Sequence, residues 1–145
     1  MYKLSKRSLN TMVGVNPDLV KVIKEAIATS PYDFMITQGV RSAKYQNELY
    51  QQGRTKPGIK VTNADGYIKK SNHQMKVDGL GYAIDFAVLY KATIDWDTES
   101  KYEAVAQHIL EVGHKLGINL EWGGNWKFID YPHIQIAGAD KIKFK

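Results

Sequence analysis

At 145 residues the chain is long enough for one domain with a hydrophobic core and too short for two ordinary ones. Hydrophobic residues at 43% and charged residues at 24% exclude disordered and membrane-type compositions, and no apolar run approaches the roughly 20 residues that span a bilayer. The lack of cysteine removes disulfides, thiolate metal sites and cysteine nucleophiles together, and the net charge of +5 suits a plain basic surface or an anionic partner such as nucleic acid, a membrane surface or a bacterial wall polymer.

The first residues, Met1 to Arg7, carry positive charge but run into Ser, Asn and Thr without the apolar core of a secretory signal. The expectation is a protein made and kept in the cytoplasm unless something releases it. Asn16-Pro17-Asp18 supplies a capping residue, a first-turn proline and an acid ahead of Leu19, Val20, Ile23, Ala26 and Ile27, predicting a helix over about 17–28. Asp33 to Thr37 reads as a strand, and Ser42 caps a helix carrying Tyr45, Leu49 and Tyr50 toward Gly53.

Residues 53–72 hold glycines, a proline and many lysines with little apolar periodicity, the pattern of a long loop, and long loops in compact domains are often functional. From Tyr82 to Leu89, Tyr82, Ile84, Phe86 and Val88 alternate with Ala83, Asp85 and Ala87, so a strand puts Asp85 opposite the aromatics, with room beside the small alanines. Thr98 to Leu116 is the strongest helix: Tyr102, Val105, Ala106, Ile109, Val112 and Leu116 form one face, and Gly117 stops it. Asn119 to Trp122 and His133 to Ile136 read as strands around a Gly123-Gly124 turn region, with His133 and Gln135 on one face. The order of elements predicts a single α+β domain over residues 1–145, a small antiparallel sheet packed with helices.

Without cysteine, any metal falls to His and carboxylates. His108 and His114 lie six apart on one predicted helix, about 240° round from each other, and cannot hold one ion. His73 and His133 each sit beside carboxylates where strand ends meet loops. Two imidazoles and one carboxylate suit zinc with an open fourth position, which marks a hydrolytic site, and a second carboxylate is then free to act as base.

These residues resemble the LAS-type metallopeptidases, which include D-alanyl-D-alanine carboxypeptidases, vancomycin-resistance dipeptidases and phage L-alanyl-D-glutamate endolysins. The motif S-x-H-x-x-G-x-A-x-D is matched by Ser71, His73, Gly81, Ala83 and Asp85, and an acid three residues before a histidine by Asp130 and His133. Thr37-Gln38-Gly39-Val40-Arg41-Ser42 matches T-x-G-x-R-S, with Gln46 following, and Trp122-Gly123-Gly124-Asn125-Trp126 is similar to the W-G-G-x-W segment of the endolysin branch.

The resemblance implies a LAS/hedgehog-like fold and zinc (Zn2+) on His73, Asp85 and His133. It implies that Asp130 is the proton-transfer residue and that Arg41 stabilises an oxyanion or holds a substrate carboxylate. Ser71, Gln46, Trp122 and Trp126 are then candidates for substrate contact, with core packing the alternative for the tryptophans. Lys56, Lys60, Lys69 and Lys70 either favour an anionic polymer or form a solvated loop face. The implied partner is peptidoglycan, cut at the L-alanyl-D-glutamate bond by a monomer that reaches the wall from the host cytoplasm through a holin. A D-alanyl-D-alanine carboxypeptidase is the alternative; neither nucleic-acid binding nor membrane insertion is expected.

One spacing departs from the family pattern. Eleven residues separate His73 from Asp85 where the family has six, which reads as an insertion around Lys76-Val77-Asp78-Gly79-Leu80. Asp78 is the rival ligand, but a strand holds ligand geometry better than a glycine-flanked loop, which favours Asp85.

Overall fold

The computed structural model describes residues 1–145. Its helices are α1 (Lys6–Thr11), α2 (Pro17–Thr29), α3 (Ala43–Gln51) and α4 (Glu99–Lys115), and its strands are β1 (Asp33–Gln38), β2 (Ala83–Tyr90), β3 (Thr93–Asp95), β4 (Leu120–Trp122) and β5 (His133–Ile136). All the strand pairs are antiparallel, in the order β1-β2-β5-β4, with β3 against the end of β2. The α+β expectation holds, and the predicted elements fall within a residue or so of their observed ends.

The caps act where the sequence places them. The Asn16 side chain accepts from the Asp18 N–H with Pro17 in the first turn, and Ser42 Oγ accepts from the Tyr45 N–H. Two short elements carry no periodic signal and were not expected, α1 and β3. Ser8 of α1 is buried, and its Oγ accepts the Ile36 N–H at 3.0 Å, tying the N-terminus to β1 just before that strand's register slips.

A period of two sorts the central strands. Ile84, Phe86 and Val88 of β2, Phe34 and Ile36 of β1 and Ile134 of β5 turn to one face, where they meet Leu19 and Ile23 of α2 and Val105 and Ile109 of α4 in one apolar cluster. Val88 N–H donates to Tyr102 Oη at 3.2 Å, fixing α4 on β2. His108 joins α4 to α2, its Nε2 lying 3.0 Å from Ala26 O and 3.1 Å from Thr29 Oγ1, so its role is structural.

Two details differ from the sequence reading. Leu116 ends α4 exposed rather than on the buried face, and Gly113 takes the contact: a Cβ there would stand 2.6 Å from Ile118 O. Ala83 and Ala87 are fully buried, so the face bearing Asp85 is covered on either side of the carboxylate. No helix is long and apolar enough to cross a membrane.

Candidate metal centre

Strand register brings the site together. Asp85 on β2 stands directly opposite His133 on β5, and Gln38 at the end of β1 pairs with Asp85 from the other side. His73 arrives from the loop before β2, held by its neighbours' backbone: Arg41 N–H donates to His73 O and Tyr82 N–H to Asn72 O, both at 2.9 Å. Gly39, whose carbonyl faces His73, lets the end of α1 come close, because a Cβ at that position would lie 2.1 Å from Thr11 O.

Asp85 Oδ1 lies 3.2 Å from His73 Nε2 and 3.4 Å from His133 Nδ1, and one potential ligand atom from each of the three residues falls within 4.8 Å of the others. The other ring nitrogens are engaged. His73 Nδ1 donates to Gly39 O at 2.8 Å, and His133 Nε2 donates to Gln135 Oε1 at 2.8 Å, so each histidine turns its remaining nitrogen toward Asp85. The donor set fits a divalent cation of the zinc type: two imidazoles and a carboxylate, converging and largely buried.

Charge is disposed to match. Burial holds the His73 imidazole below its usual range and so neutral, as a ligand must be. Burial pushes against ionisation of Asp85, but the two histidines and Arg41 outweigh it and hold the carboxyl well below its ordinary value. His133 is likewise opposed by burial and raised on balance by Asp85 and Asp130. Asp130 is pushed up to about 6, first by burial and then by the Asp85 carboxylate, and its Oδ2 stands 3.8 Å from His133 Nδ1. The loop returning to Asp130 depends on Gly123, where a Cβ would fall 2.3 Å from Asp130 O.

The donors open onto a cavity of about 550 Å3 whose lining includes Ser71, Lys69, Lys70, Trp126 and Asp130. The Trp126 ring packs on His133 with centroids 4.7 Å apart, whereas Trp122 lies in the core, its Nε1 donating to Tyr131 O at 2.7 Å. Trp122 is therefore corrected from substrate contact to packing, the alternative weighed for it. Gln46 is corrected too: it is fully buried and outside the cavity lining, and its Oε1 accepts from Arg41 Nη1 at 3.1 Å.

Arg41 lines the cavity but directs Nη2 to Asp85 Oδ2 at 2.8 Å, so it holds the candidate ligand rather than standing free. Ser71 Oγ accepts the His73 N–H at 3.2 Å, a loop-fixing bond the motif did not reveal. Asp78 lies away from the donors and accepts from Tyr82 Oη and from the Leu80 N–H. Of the loop lysines, Lys69 and Lys70 reach the cavity, while Lys56 and Lys60 are solvent-exposed.

A small antiparallel α+β domain with a His–Asp–His donor set at the base of an open cavity defines the class: a LAS-like fold with a candidate metal centre. The chain belongs to the phage L-alanyl-D-glutamate peptidase family, whose model matches residues 1–137. It is 40% identical over 134 residues to the peptidoglycan L-alanyl-D-glutamate endopeptidase CwlK of Bacillus subtilis, covering 88% of this chain and 73% of that protein. It is 30% identical over 135 residues to the L-alanyl-D-glutamate peptidase of Escherichia phage T5, covering 93% and 89%.

Among solved structures it is similar to the L-Ala D-Glu endopeptidase ChiX of Serratia marcescens, with a TM-score of 0.73 and 29% identity over 94% of this chain and 90% of that one. The vancomycin-resistance D,D-dipeptidase VanXYg shares the fold at a TM-score of 0.53 and 17% identity, covering 86% of this chain and 51% of that one.

Proposed function

We propose that the chain is a zinc-dependent endopeptidase that hydrolyses the L-alanyl-D-glutamate bond of peptidoglycan stem peptides and serves a phage as an endolysin. The observation that carries this reading is the convergence of His73, Asp85 and His133 at the base of a cavity, with Asp130 beside them. The relatives named for this bond support the substrate assignment. Zinc, when bound, supplies a Lewis acid that polarises a carbonyl and acidifies water.

The chain's own groups do the rest. Asp130 takes a proton from the attacking water as its oxygen adds to the alanyl carbonyl carbon. When the carbon–nitrogen bond breaks, Asp130 passes that proton to the departing glutamyl amine. Burial raises this carboxyl above its ordinary range, which favours its holding the proton between the two steps. Arg41 orients Asp85 through their ion pair and offers the cavity a positive edge. Lys69 and Lys70 face the carboxylates that stem peptides carry, and Trp126 walls the cavity beside His133.

The protein acts as a monomer made in the host cytoplasm, reaches the wall through a holin-made opening and lyses the cell. Its kinship with the phage T5 peptidase favours that setting. A D,D-carboxypeptidase would use the same ligands, but the likeness to VanXYg is one of fold alone. The deciding experiment digests purified peptidoglycan with zinc-loaded protein and identifies the new termini by mass spectrometry. New alanyl carboxyl and glutamyl amino ends are expected. Release of free D-alanine would replace this reading with the carboxypeptidase, and an undigested wall would reject both.

A further inference from the structure

Lys76 is fully buried although it opens the inserted segment Lys76–Leu80. Its Nζ donates to Asn72 Oδ1 at 2.6 Å and lies 3.5 Å from the centre of the Phe144 ring. Phe144 belongs to the C-terminal stretch beyond the family-matched residues 1–137. That stretch is strapped to the insertion by Val77 N–H to Lys143 O at 2.8 Å and Lys145 N–H to Met75 O at 3.1 Å. The two places where the chain departs from or extends past the family pattern therefore meet, around a buried cation two side chains from His133.

From Lys76 the hydrogen bonds run in one direction. An ammonium only donates, so Asn72 must present its carbonyl oxygen to Lys76, leaving its amide nitrogen to face Gln135 Oε1 at 3.1 Å and Asp140 Oδ1 at 2.8 Å. Gln135 must then present its oxygen to Asn72, and that same oxygen faces His133 Nε2 at 2.8 Å. From the other end, the Glu121 carboxylate, which only accepts when ionised, takes the Gln135 amide nitrogen at 3.4 Å. Neither amide can flip without setting donor against donor or acceptor against acceptor, and a buried mismatch of that kind costs about 1–3 kcal/mol.

We propose that Lys76, Asn72 and Gln135 form a positioning relay of fixed polarity that keeps a proton on His133 Nε2 and so presents Nδ1 to the metal. This rests on the metal reading above. The insertion and the C-terminal strap hold the source of that polarity in place.

The test uses metal-stripped full chain, nitrogen-edited imidazole spectra taken above the titration range of His133, and titration with zinc against a chromophoric chelator. The parent is expected to show His133 as the Nε2–H tautomer. Gln135→Met, which keeps length and removes the acceptor, is expected to give mixed tautomers and zinc binding about 10–100-fold weaker. Lys76→Met is expected to shift both readouts in the same direction by less.

Should Lys76→Met fail to fold, Asn72→Asp still accepts from Lys76 but turns an acceptor toward Gln135. That reverses the Gln135 amide and drives His133 toward the Nδ1–H tautomer. Parental tautomer and zinc affinity in folded Gln135→Met and Asn72→Asp would overturn the relay. A parent that binds no zinc would instead defeat the metal reading, while the tautomer spectra still judge the relay.

Discussion

The two faces of β2 and β5 follow one period-two rule and end in opposite chemistry. On one face Ile84, Phe86, Val88 and Ile134 pack against α2 and α4 without a polar group among them. On the other, Asp85, His133 and Gln135 sit in a web of charged and amide side chains in which every buried polar side-chain atom finds a partner. The apolar face gains stability from area, which is non-directional and tolerant of detail. The polar face depends on direction, and a slip of one residue would turn each face into the other.

The largest expected effect lies on the polar face. Asp85→Ala removes one of three candidate ligands and leaves Arg41 without its ion-pair partner, so bound zinc and wall digestion should both be lost. Asp78→Ala should keep both, since Asp78 bonds only within its own loop and to Tyr82. Zinc content by elemental analysis of the two purified variants separates them, and the reverse pattern would move the ligand into the insertion.

The apolar face should answer in stability instead. Phe86 is fully buried and meets Phe34 and Tyr102 with ring centroids 6.1 and 5.3 Å away. Phe86→Ala should cost about 3–5 kcal/mol in denaturant unfolding. Zinc bound per folded molecule should stay at the parental level, and its loss in the folded fraction would show that the faces are not separable.

Both faces were legible in the sequence to different depths. Alternation over residues 82–89 fixes which side chains face which way, and the spacing of Tyr102, Val105, Ala106 and Ile109 fixes the buried stripe of α4. Helix α1 and strand β3 are too short to show a period. The motif residues His73, Asp85, Asp130 and His133 do gather, and the insertion leaves Asp85 in place because β2 carries it opposite His133.

Gln46 and Trp122 were misread because a motif position says that a residue is near the site, while burial decides which side of the wall it occupies. Gln135 and Lys76 were legible only as a strand residue and a loop residue. Their meaning comes from partners up to 68 positions away from them in sequence, Asn72 and Phe144.

The smallest effect belongs to neither face. Asp95, the last residue of β3, is held at about 2 by Lys101 first and then by the Thr98 hydroxyl. Its folded value lies below the unfolded one of about 3.9, so its contribution is fully present above about pH 4 and is lost as the pH falls toward 2. Asp95→Asn should therefore lower stability modestly at neutral pH, where the contribution is present, approach the parent near pH 2, and flatten that part of the stability–pH curve. An unaltered acid limb in unfolding measurements would contradict it.

The division of labour on the polar face rests on Asp130 and His133, three residues apart. Metal content and wall-digestion rate, measured on purified Asp130→Ala and His133→Ala, test it most directly. Asp130→Ala should bind zinc almost as well as the parent yet turn over about 10²–10⁴-fold more slowly, the usual worth of a positioned acid or base. His133→Ala should lose metal and activity together. A zinc-free Asp130→Ala, or one that digests wall at near-parental rate, would contradict the account.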